Sequence, residues 1–224
     1  MRGRAAWGWL GLLALVGTAF TAFPSCGLLG PENAKPKAVD AYFADPRDTA
    51  LVRRVLVLPF DIDDRGDADP DLVWRIFCKE LQKTGRFEVL ALPDGDRQKW
   101  LDNLPRLKGV FPMADLLDFC DRFGAQGVIY GTVTRFRAYK PPCLGLRLGM
   151  VSAQTGQVVW ETDVLYDMAD KRSLEDLRNY VATVCSPEDS LHKWEMTLLS
   201  PRRFAAYVCH RVVDRWRVVD AAYR

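Results

Sequence analysis

Several patterns that accompany known reaction chemistries are missing from this sequence of 224 residues. Only two histidines occur, His192 and His210, and none of the six cysteines stands in a C-x-x-C pair. The chain has no G-x-S-x-G, no H-E-x-x-H and no glycine-rich phosphate loop. These absences give no support for thioredoxin-like redox chemistry, a zinc ribbon or the common hydrolase sites. We therefore expect a non-catalytic protein with no cofactor and no metal.

A strong excess of one charge is also absent. The chain has 31 basic and 29 acidic residues, which leaves a formal net charge of +2. Such a balance gives no global argument for nucleic acid or for a strongly acidic partner. The hydrophobic fraction of 49% and the charged fraction of 27% are those of an ordinary globular protein. The length predicts one domain and a targeting segment. The sequence shows no internal repeats and no low-complexity tracts.

The first 25 residues have the pattern of an export signal. Arg2 and Arg4 precede an apolar run, Trp9–Phe23, which is too short for a confident membrane span. The run ends in Phe23-Pro24-Ser25-Cys26, and a small residue before cysteine at this place resembles a bacterial lipobox. We therefore predict a lipoprotein signal peptide over residues 1–25 and lipidation of Cys26.

An alternative end of the signal peptide stays open. Ordinary cleavage near Ala19 or Ala22 would leave Cys26 as an unmodified residue. In both cases the next stretch is rich in proline and lysine and has little to place in a core. We predict a flexible tether over residues 26–50 and a single domain over residues 51–224.

Periodicity predicts the centre of the fold. Residues 127–167 alternate in three runs, and Gly156 supplies the turn between the last two, so we expect three adjacent antiparallel strands. Residues 52–60 form a nearly continuous apolar run that is typical of a central strand. The next helix is capped by Asp69, begins at Pro70 and ends at Gly85. It leads to a strand at 86–92, which we expect to pair parallel with the strand at 52–60.

The remaining patterns predict helices. They are a short helix or turn at 98–104, helices at 112–123 and from Ser173, a poorly patterned one at 188–199, and a long last helix from Ser200-Pro201. The last carries Phe204, Val208, Val212 and Trp216 on one stripe. The order β-α-β-α-β-β-β-α-α defines an α/β (α+β) fold, with helices packed on a mixed sheet of about five strands.

The last helix also presents the main candidate for binding a partner. Arg203, Tyr207, Arg211 and Arg215 recur every fourth residue and therefore share one basic, aromatic stripe. Such a stripe fits an anionic lipid headgroup, a cell-wall polymer or an acidic protein patch. The alternative is a solvated helix face, which is the usual environment of such residues.

Two further groups of residues are weaker candidates for a functional or structural site. Cys185 and Cys209 flank the last helical segments and are our candidates for a disulfide, whereas Cys78 and Cys120 lie among apolar helix residues and predict core packing. The acidic loop 61–69 partly matches a calcium-binding loop. It lacks the bidentate glutamate, so a solvated strand-to-helix loop is the better interpretation.

A family resemblance supports this outline. The segments RRVLVLPF, ELQKTGRFEVL, FGAQGVIYGTVTRF and LRLGMVSAQTGQVVWE resemble the α/β domain of CsgG-like and LpoB-like envelope lipoproteins, and the same architecture resembles the N-terminal domain of TolB. The resemblance runs from about Arg53 to Trp216, and its motifs are strands and turns of the fold. It implies a lipoprotein anchored in the bacterial outer membrane, facing the periplasm and acting through protein contacts.

One departure from CsgG decides between the roles that the resemblance implies. Residues 139–143 and 154–157 join strands directly, whereas each membrane-crossing strand needs about nine to eleven residues. We therefore expect no pore and favour an accessory or scaffold protein in cell-envelope assembly. Its partner would be an envelope protein or cell-wall component, with the lipid anchor as the membrane contact and no nucleic acid. A homo-oligomeric subunit of a secretion or assembly complex and an envelope enzyme that uses a cysteine are the alternatives.

Overall fold

The structure, a computed structural model, describes residues 40–44, 46–63, 69–90, 92–107, 111–185 and 193–222. Its strands are β1 (Ala41–Phe43), β2 (Arg54–Val57), β3 (Asp61–Ile62), β4 (Glu88–Leu90), β5 (Gly127–Arg137), β6 (Cys143–Ser152) and β7 (Val158–Asp167). Its helices are α1 (Pro46–Leu51), α2 (Pro70–Lys83), α3 (Asp94–Leu107), α4 (Met113–Phe123), α5 (Lys171–Val184), α6 (Lys193–Leu199) and α7 (Pro201–Ala222). The predicted signal peptide and Cys26 lie outside the described residues.

The seven strands form one mixed sheet in the order β1-β7-β6-β5-β2-β4, and β3 pairs with β5 beside this path. Strands β5, β6 and β7 are antiparallel neighbours, as their alternation predicts. Strand β2 pairs parallel with both β4 and β5, which confirms the predicted crossover pair. The observed fold is therefore the predicted mixed α/β class, with two more strands than the five expected.

Local signals placed several element ends correctly. The Asp69 carboxylate accepts a hydrogen bond from the Leu72 amide at 3.0 Å, Pro70 begins α2, and Gly85 has a φ of 65°. Gly156 has a φ of 63° in the β6–β7 turn, where a side chain would be strained. The start of α5 differs from the prediction, because Asp170 caps it and Ser173 lies buried inside the helix.

Helices cover the two faces of the sheet unequally. On the inner face, α2, α5 and α7 bury most of the apolar side chains of β5, β6 and β7, around Trp160 and Trp216. On the outer face, α3 and α4 pack over β2 and the adjoining ends of β5 and β6, where Leu56, Leu116 and Val128 are fully buried. The inner layer is thus the main core, and the outer layer covers only part of its face.

The beginning of the domain corrects the predicted tether. The predicted tether includes residues 40–50, but β1 pairs antiparallel with β7 and α1 follows it. The Phe43 ring contacts that of Trp216 with centroids 5.2 Å apart, and Thr49 is fully buried. Three residues are too few to show an alternating pattern, so the sequence did not reveal β1. No described helix is long and apolar enough to cross a membrane.

Candidate binding surface

The structure divides the predicted basic stripe of α7 between very different environments. Arg203 is exposed, Arg215 is half-buried, Tyr207 is fully buried, and only 10% of the Arg211 side chain is accessible. The stripe therefore does not form one surface for a partner. The physical reason is that α5 places Asp176 against this side of α7, and Tyr207 and Arg211 turn inward to it.

Asp176 is the centre of a buried polar network. Both of its carboxylate oxygens accept hydrogen bonds from Arg211, from Nη2 and from Nε, each at 2.9 Å. The Tyr207 hydroxyl donates a third bond to Oδ2 at 2.6 Å. Burial raises the pKa of Tyr207, and the neighbouring carboxylate raises it further, so the phenol stays a hydrogen-bond donor. The network joins α5 to α7 and has the features of a structural contact.

A second buried carboxylate, which the sequence analysis missed, lies between α2 and α7. Glu80 is 4% exposed; Lys83 Nζ lies 2.5 Å from one of its oxygens and His210 Nδ1 lies 3.5 Å from the other. Burial raises the pKa of Glu80, but the hydrogen bonds from His210 and Lys83 outweigh this effect and leave it below the ordinary value. A glutamate within a helix ordinarily indicates an exposed position, so no signal in the sequence pointed to this contact.

The cysteines do not form the predicted disulfide. Cys185 and Cys209 are both free thiols: Cys209 points into the core, close to Glu80 and Cys78, while Cys185 follows the end of α5. Burial raises the pKa of Cys78 to about 12 and that of Cys120 to about 11. A thiol of such high pKa stays protonated at neutral pH and is a poor nucleophile. Cys120 is buried, as the core-packing prediction requires.

The outer side of β5, β6 and β7 beyond α3 and α4 carries exposed side chains and is left uncovered by the described helices. Partners in an antiparallel pair share a face, so the register assigns each side chain to its side. We call this surface the open face. It comprises Tyr130, Thr134, Arg135, Arg137, Arg147, Glu161, Asp163, Leu165 and Asp167, together with Tyr42 on β1.

Two glycines flatten the open face. A Cβ atom on Gly149 would lie 2.5 Å from the ring of Tyr130, and one on Gly145 would lie 2.5 Å from Oγ1 of Thr134. The side chains of Tyr130 and Thr134 therefore lie across β6 in the space that the glycines leave. Since nothing projects from β6 except Arg147, the surface is broad and shallow.

Charges are sorted by strand across the open face. Arginines occur on β5 and β6, and carboxylates occur on β7. Arg147 Nε lies 3.1 Å from Asp163 Oδ2, and Arg137 Nη2 lies 2.9 Å from Asp167 Oδ1. Every residue named here except Asp167 is exposed, so water weakens these pairs and leaves the charges accessible to a partner.

Exposed apolar side chains accompany these charges. Tyr42 is 60% exposed, Leu165 is 46% exposed, and Tyr139 at the β5–β6 turn is 76% exposed. A depression of about 550 Å³ lies at the β1 edge of the open face, and Arg215 lines it together with Arg147 and Glu161. Arg215 is thus the one member of the predicted stripe that reaches this surface. Tyrosine and arginine are the residue types that protein interfaces favour.

A separate cavity of about 530 Å³ lies between α3 and α4. Trp100 and Phe119 form its apolar part, with their rings edge to face at 5.4 Å. Two of the lining residues form an ion pair: Arg122 Nη2 donates a hydrogen bond to Asp96 Oδ1 at 2.9 Å. Its remaining polar lining mixes both signs of charge, so it shows no preference for one class of ligand.

The fold and this surface together define a mixed α/β domain with one sheet face partly open. No family model and no curated protein matches the chain. Among solved structures, it is similar to the PelC dodecamer from Paraburkholderia phytofirmans, at 16% identity and a TM-score of 0.41, over 74% of this chain and 96% of that chain. It is also similar to the LpoB C-terminal domain from Salmonella enterica, at 16% identity and a TM-score of 0.40, over 51% and 82%.

A third similar structure is lipoprotein GNA1162 from Neisseria meningitidis, at 14% identity and a TM-score of 0.39, over 59% of this chain and 99% of that chain. At such identities the likeness concerns the fold alone. LpoB, whose family the sequence motifs resemble, is thus among the structural neighbours, together with a further lipoprotein. The resemblance to CsgG stays a prediction.

Proposed function

We propose that the chain is a non-catalytic lipoprotein of the bacterial envelope that acts by binding another protein through its open face. The observation that carries the proposal is the open face itself, where exposed tyrosine, leucine and arginine side chains share a flat surface. Tyrosine and arginine are enriched in protein interfaces. The basic start, apolar run and Cys26 of the sequence support export and lipid anchoring.

The position of β1 sets the distance at which such an anchored domain could act. Because β1 begins at Ala41, only residues 27–39 separate Cys26 from the described domain. About 13 residues span at most about 45 Å when fully extended. The domain would therefore stay close to its membrane, and its partner would be present at a high effective concentration there.

The first experiment tests the anchor. We would compare intact mass and membrane fractionation of the chain expressed in a bacterial host with those of Cys26→Ser. We expect a diacylglyceryl mass at Cys26 and membrane retention in the unchanged chain only. If both chains are cleaved upstream and soluble, the anchored part of the proposal is wrong.

The second experiment tests the open face. We would place a photo-crosslinking amino acid at Leu165 or Tyr42 and, as the matched control, at the exposed Gln82 on α2. We expect protein adducts in whole cells from the open-face positions and not from Gln82. Absence of adducts from both open-face positions would contradict binding through this surface.

A further inference from the structure

We propose that the turn between β5 and β6, residues 138–142, rests on the surface of the membrane that anchors the chain. Tyr139 lies there among anionic phospholipid headgroups, and basic side chains beside it bind their phosphates. This inference rests on the proposed function, because it needs the lipid anchor at Cys26. It adds to that function the end of the domain that faces the membrane and the direction in which the open face points.

The direction of β1 determines which end of the sheet the tether approaches. In the antiparallel pairing of β1 with β7, Phe43 lies opposite Trp160 and Ala41 lies opposite Thr162. The N-terminal end of β1 therefore points along β7 towards Asp167. Since the tether precedes β1, the chain that leads back to the anchor starts out towards this end of the sheet.

The turn between β5 and β6 stands at the same end. Asp167 near the end of β7 pairs with Cys143 at the start of β6, and Cys143 pairs with Arg137 at the end of β5. The turn continues beyond this row of residues. The Met168 amide donates a hydrogen bond to the Pro142 carbonyl at 3.0 Å, so the turn that follows β7 packs beside it. We call these two neighbouring turns the tip.

The tether is short enough for its direction to orient the domain. Ala41 pairs five residues before the end of β7, which is about 17 Å at 3.4 Å per residue. Residues 27–39 span at most about 45 Å, so about 28 Å remains between the end of the sheet and Cys26. To bring the opposite end of the sheet to the membrane, the tether would have to reverse its direction directly before β1. The path without a reversal places the tip against the membrane.

The tip carries residue types that favour a membrane surface. Tyr139 is 76% exposed. Tyrosine is enriched at the boundary between water and lipid, because its ring is apolar and its hydroxyl is polar. Five exposed basic side chains lie on or beside the two turns: Arg135, Arg137, Lys140, Lys171 and Arg172. Each basic side chain near an anionic bilayer raises the binding constant about fivefold.

Two carboxylates at the tip are engaged within the chain. Asp167 accepts hydrogen bonds from Arg137 Nη2 and from the Ala169 amide, both at 2.9 Å. Asp170 caps α5 and accepts a hydrogen bond from the Ser173 amide at 3.0 Å. These carboxylates therefore fix the two turns and offset little of the basic charge that faces outward.

The basic groups are less engaged. Arg135 and Lys140 form no ion pair with any residue that the structure describes. Lys171 Nζ lies 3.8 Å from Glu175 Oε1, and its side chain is 90% exposed. Asp63 lies further from the turn, beside the middle of β5. The tip thus presents basic charge that is accessible to phosphate groups.

Contact at the tip sets the direction of the open face. The tip lies at one end of β5, β6 and β7, so these strands stand upright on the membrane. The open face then points sideways, towards a partner in or near the same membrane. The β6–β7 turn, at the other end of strands of ten residues, stands about 34 Å from the tip.

Photo-crosslinking to lipid tests the contact in the full chain. A benzophenone amino acid in place of Tyr139 keeps an aromatic ring at the tip and inserts into neighbouring C–H bonds on illumination. The matched control carries the same amino acid in place of Thr155, which is exposed in the β6–β7 turn. In membranes that carry each chain, we expect the mass of one phospholipid to be added at position 139 and not at position 155.

Charge reversal tests the role of the basic groups. Lys140→Glu with Lys171→Glu is added to the chain that carries the benzophenone at position 139. The yield of phospholipid adducts should fall about fivefold or more, because two attractive charges become repulsive. Lys79→Glu with Lys99→Glu makes the same change of charge at exposed positions on α2 and α3 and should leave the yield unchanged.

The outcomes separate this inference from the proposed function. Phospholipid adducts at position 139 alone, which only the reversal at the tip reduces, would support the inference. In a chain that carries the diacylglyceryl mass at Cys26, three results would overturn it and leave the anchor in place: no phospholipid adduct at position 139, equal adducts at both positions, or adducts that reversal at the tip leaves unchanged. A chain without that mass would contradict the anchored part of the proposed function, and the inference with it.

Discussion

Two arginine–carboxylate pairs with similar nitrogen–oxygen distances lie on opposite faces of the sheet. On the inner side, Arg211 and Asp176 are 2.9 Å apart, and their side chains are 10% and 1% exposed. On the open face, Arg147 and Asp163 are 3.1 Å apart and 54% and 58% exposed. Because water screens the second pair and not the first, similar distances correspond to very different interaction energies. The inner pair fixes the packing of two helices, whereas the outer pair remains free to exchange partners.

The largest effect is expected when the inner pair is broken. Arg211→Met leaves the carboxylate of Asp176 buried without its cation, and such a loss costs about 3–5 kcal/mol. We expect the free energy of unfolding, measured by urea denaturation, to fall by this amount. Arg203→Met, on the exposed side of the same helix, is the matched control and should have almost no effect. A loss below about 1 kcal/mol in Arg211→Met would show that the contact is not structural.

The buried carboxylate of Glu80 makes a contribution to stability that should depend on pH. Its pKa is lowered in the folded chain, so the contribution of its carboxylate is complete above the ordinary value of 4.5 and is lost as the pH falls through the lowered pKa. Glu80→Gln should reduce stability by about 1.5–3 kcal/mol at neutral pH, because bonds to a charged group are lost. The difference from the unchanged chain should shrink in melting curves recorded from pH 7 down to pH 3.

The exposed Glu195 on α6 provides the control for this pH effect. Glu195→Gln should leave the melting curve unchanged at every pH in that range. A constant difference between Glu80→Gln and the unchanged chain down to pH 3 would mean that the carboxylate of Glu80 does not stabilise the fold through its charge.

Glycine substitutions compare how firmly the two faces are packed. A Cβ on Gly131 would collide with Leu148 and would lie 2.9 Å from the backbone oxygen of Arg147, both enclosed by the inner core. We expect Gly131→Ala to cost about 1–3 kcal/mol. A Cβ on Gly149 meets only the ring of Tyr130, which can move towards solvent, so Gly149→Ala should cost less. Thermal unfolding of both variants decides this, and an equal loss would mean that the open face is packed as firmly as the core.

The sequence predicts well what is local. Alternation located β5, β6 and β7, Asp69 and Pro70 located the start of α2, and the apolar stripe of α7 is buried as expected. Each of these features depends on the chemistry of neighbouring residues, which a pattern displays directly. The fold class follows from their order.

What the sequence did not reveal depends on contacts between distant segments. The acceptor of Tyr207 and Arg211 is Asp176, which precedes them by a whole helix and a loop. Their four-residue spacing describes one side of a helix but contains no information on what covers that side. For the same reason, the alternating strands showed two sheet faces without showing which one the helices leave open. The predicted stripe therefore groups residues that the structure places in different environments, although the helix itself was predicted.

The smallest effect is expected for the outer pair, and it tests the comparison most sharply. A double-mutant cycle with Arg147→Ala and Asp163→Ala should give a coupling energy of about 0.2–1 kcal/mol, typical of exposed ion pairs. It should vanish in 1 M salt, where charges are screened beyond about 3 Å. The same cycle on Arg211 and Asp176 should keep its coupling, because salt does not enter the core. Urea denaturation at low and high salt measures all seven proteins, since the unchanged chain belongs to both cycles. Equal coupling in the two cycles would mean that water screens the two ion pairs to the same extent. The open face would then be packed like the core and would not be an accessible surface for a partner.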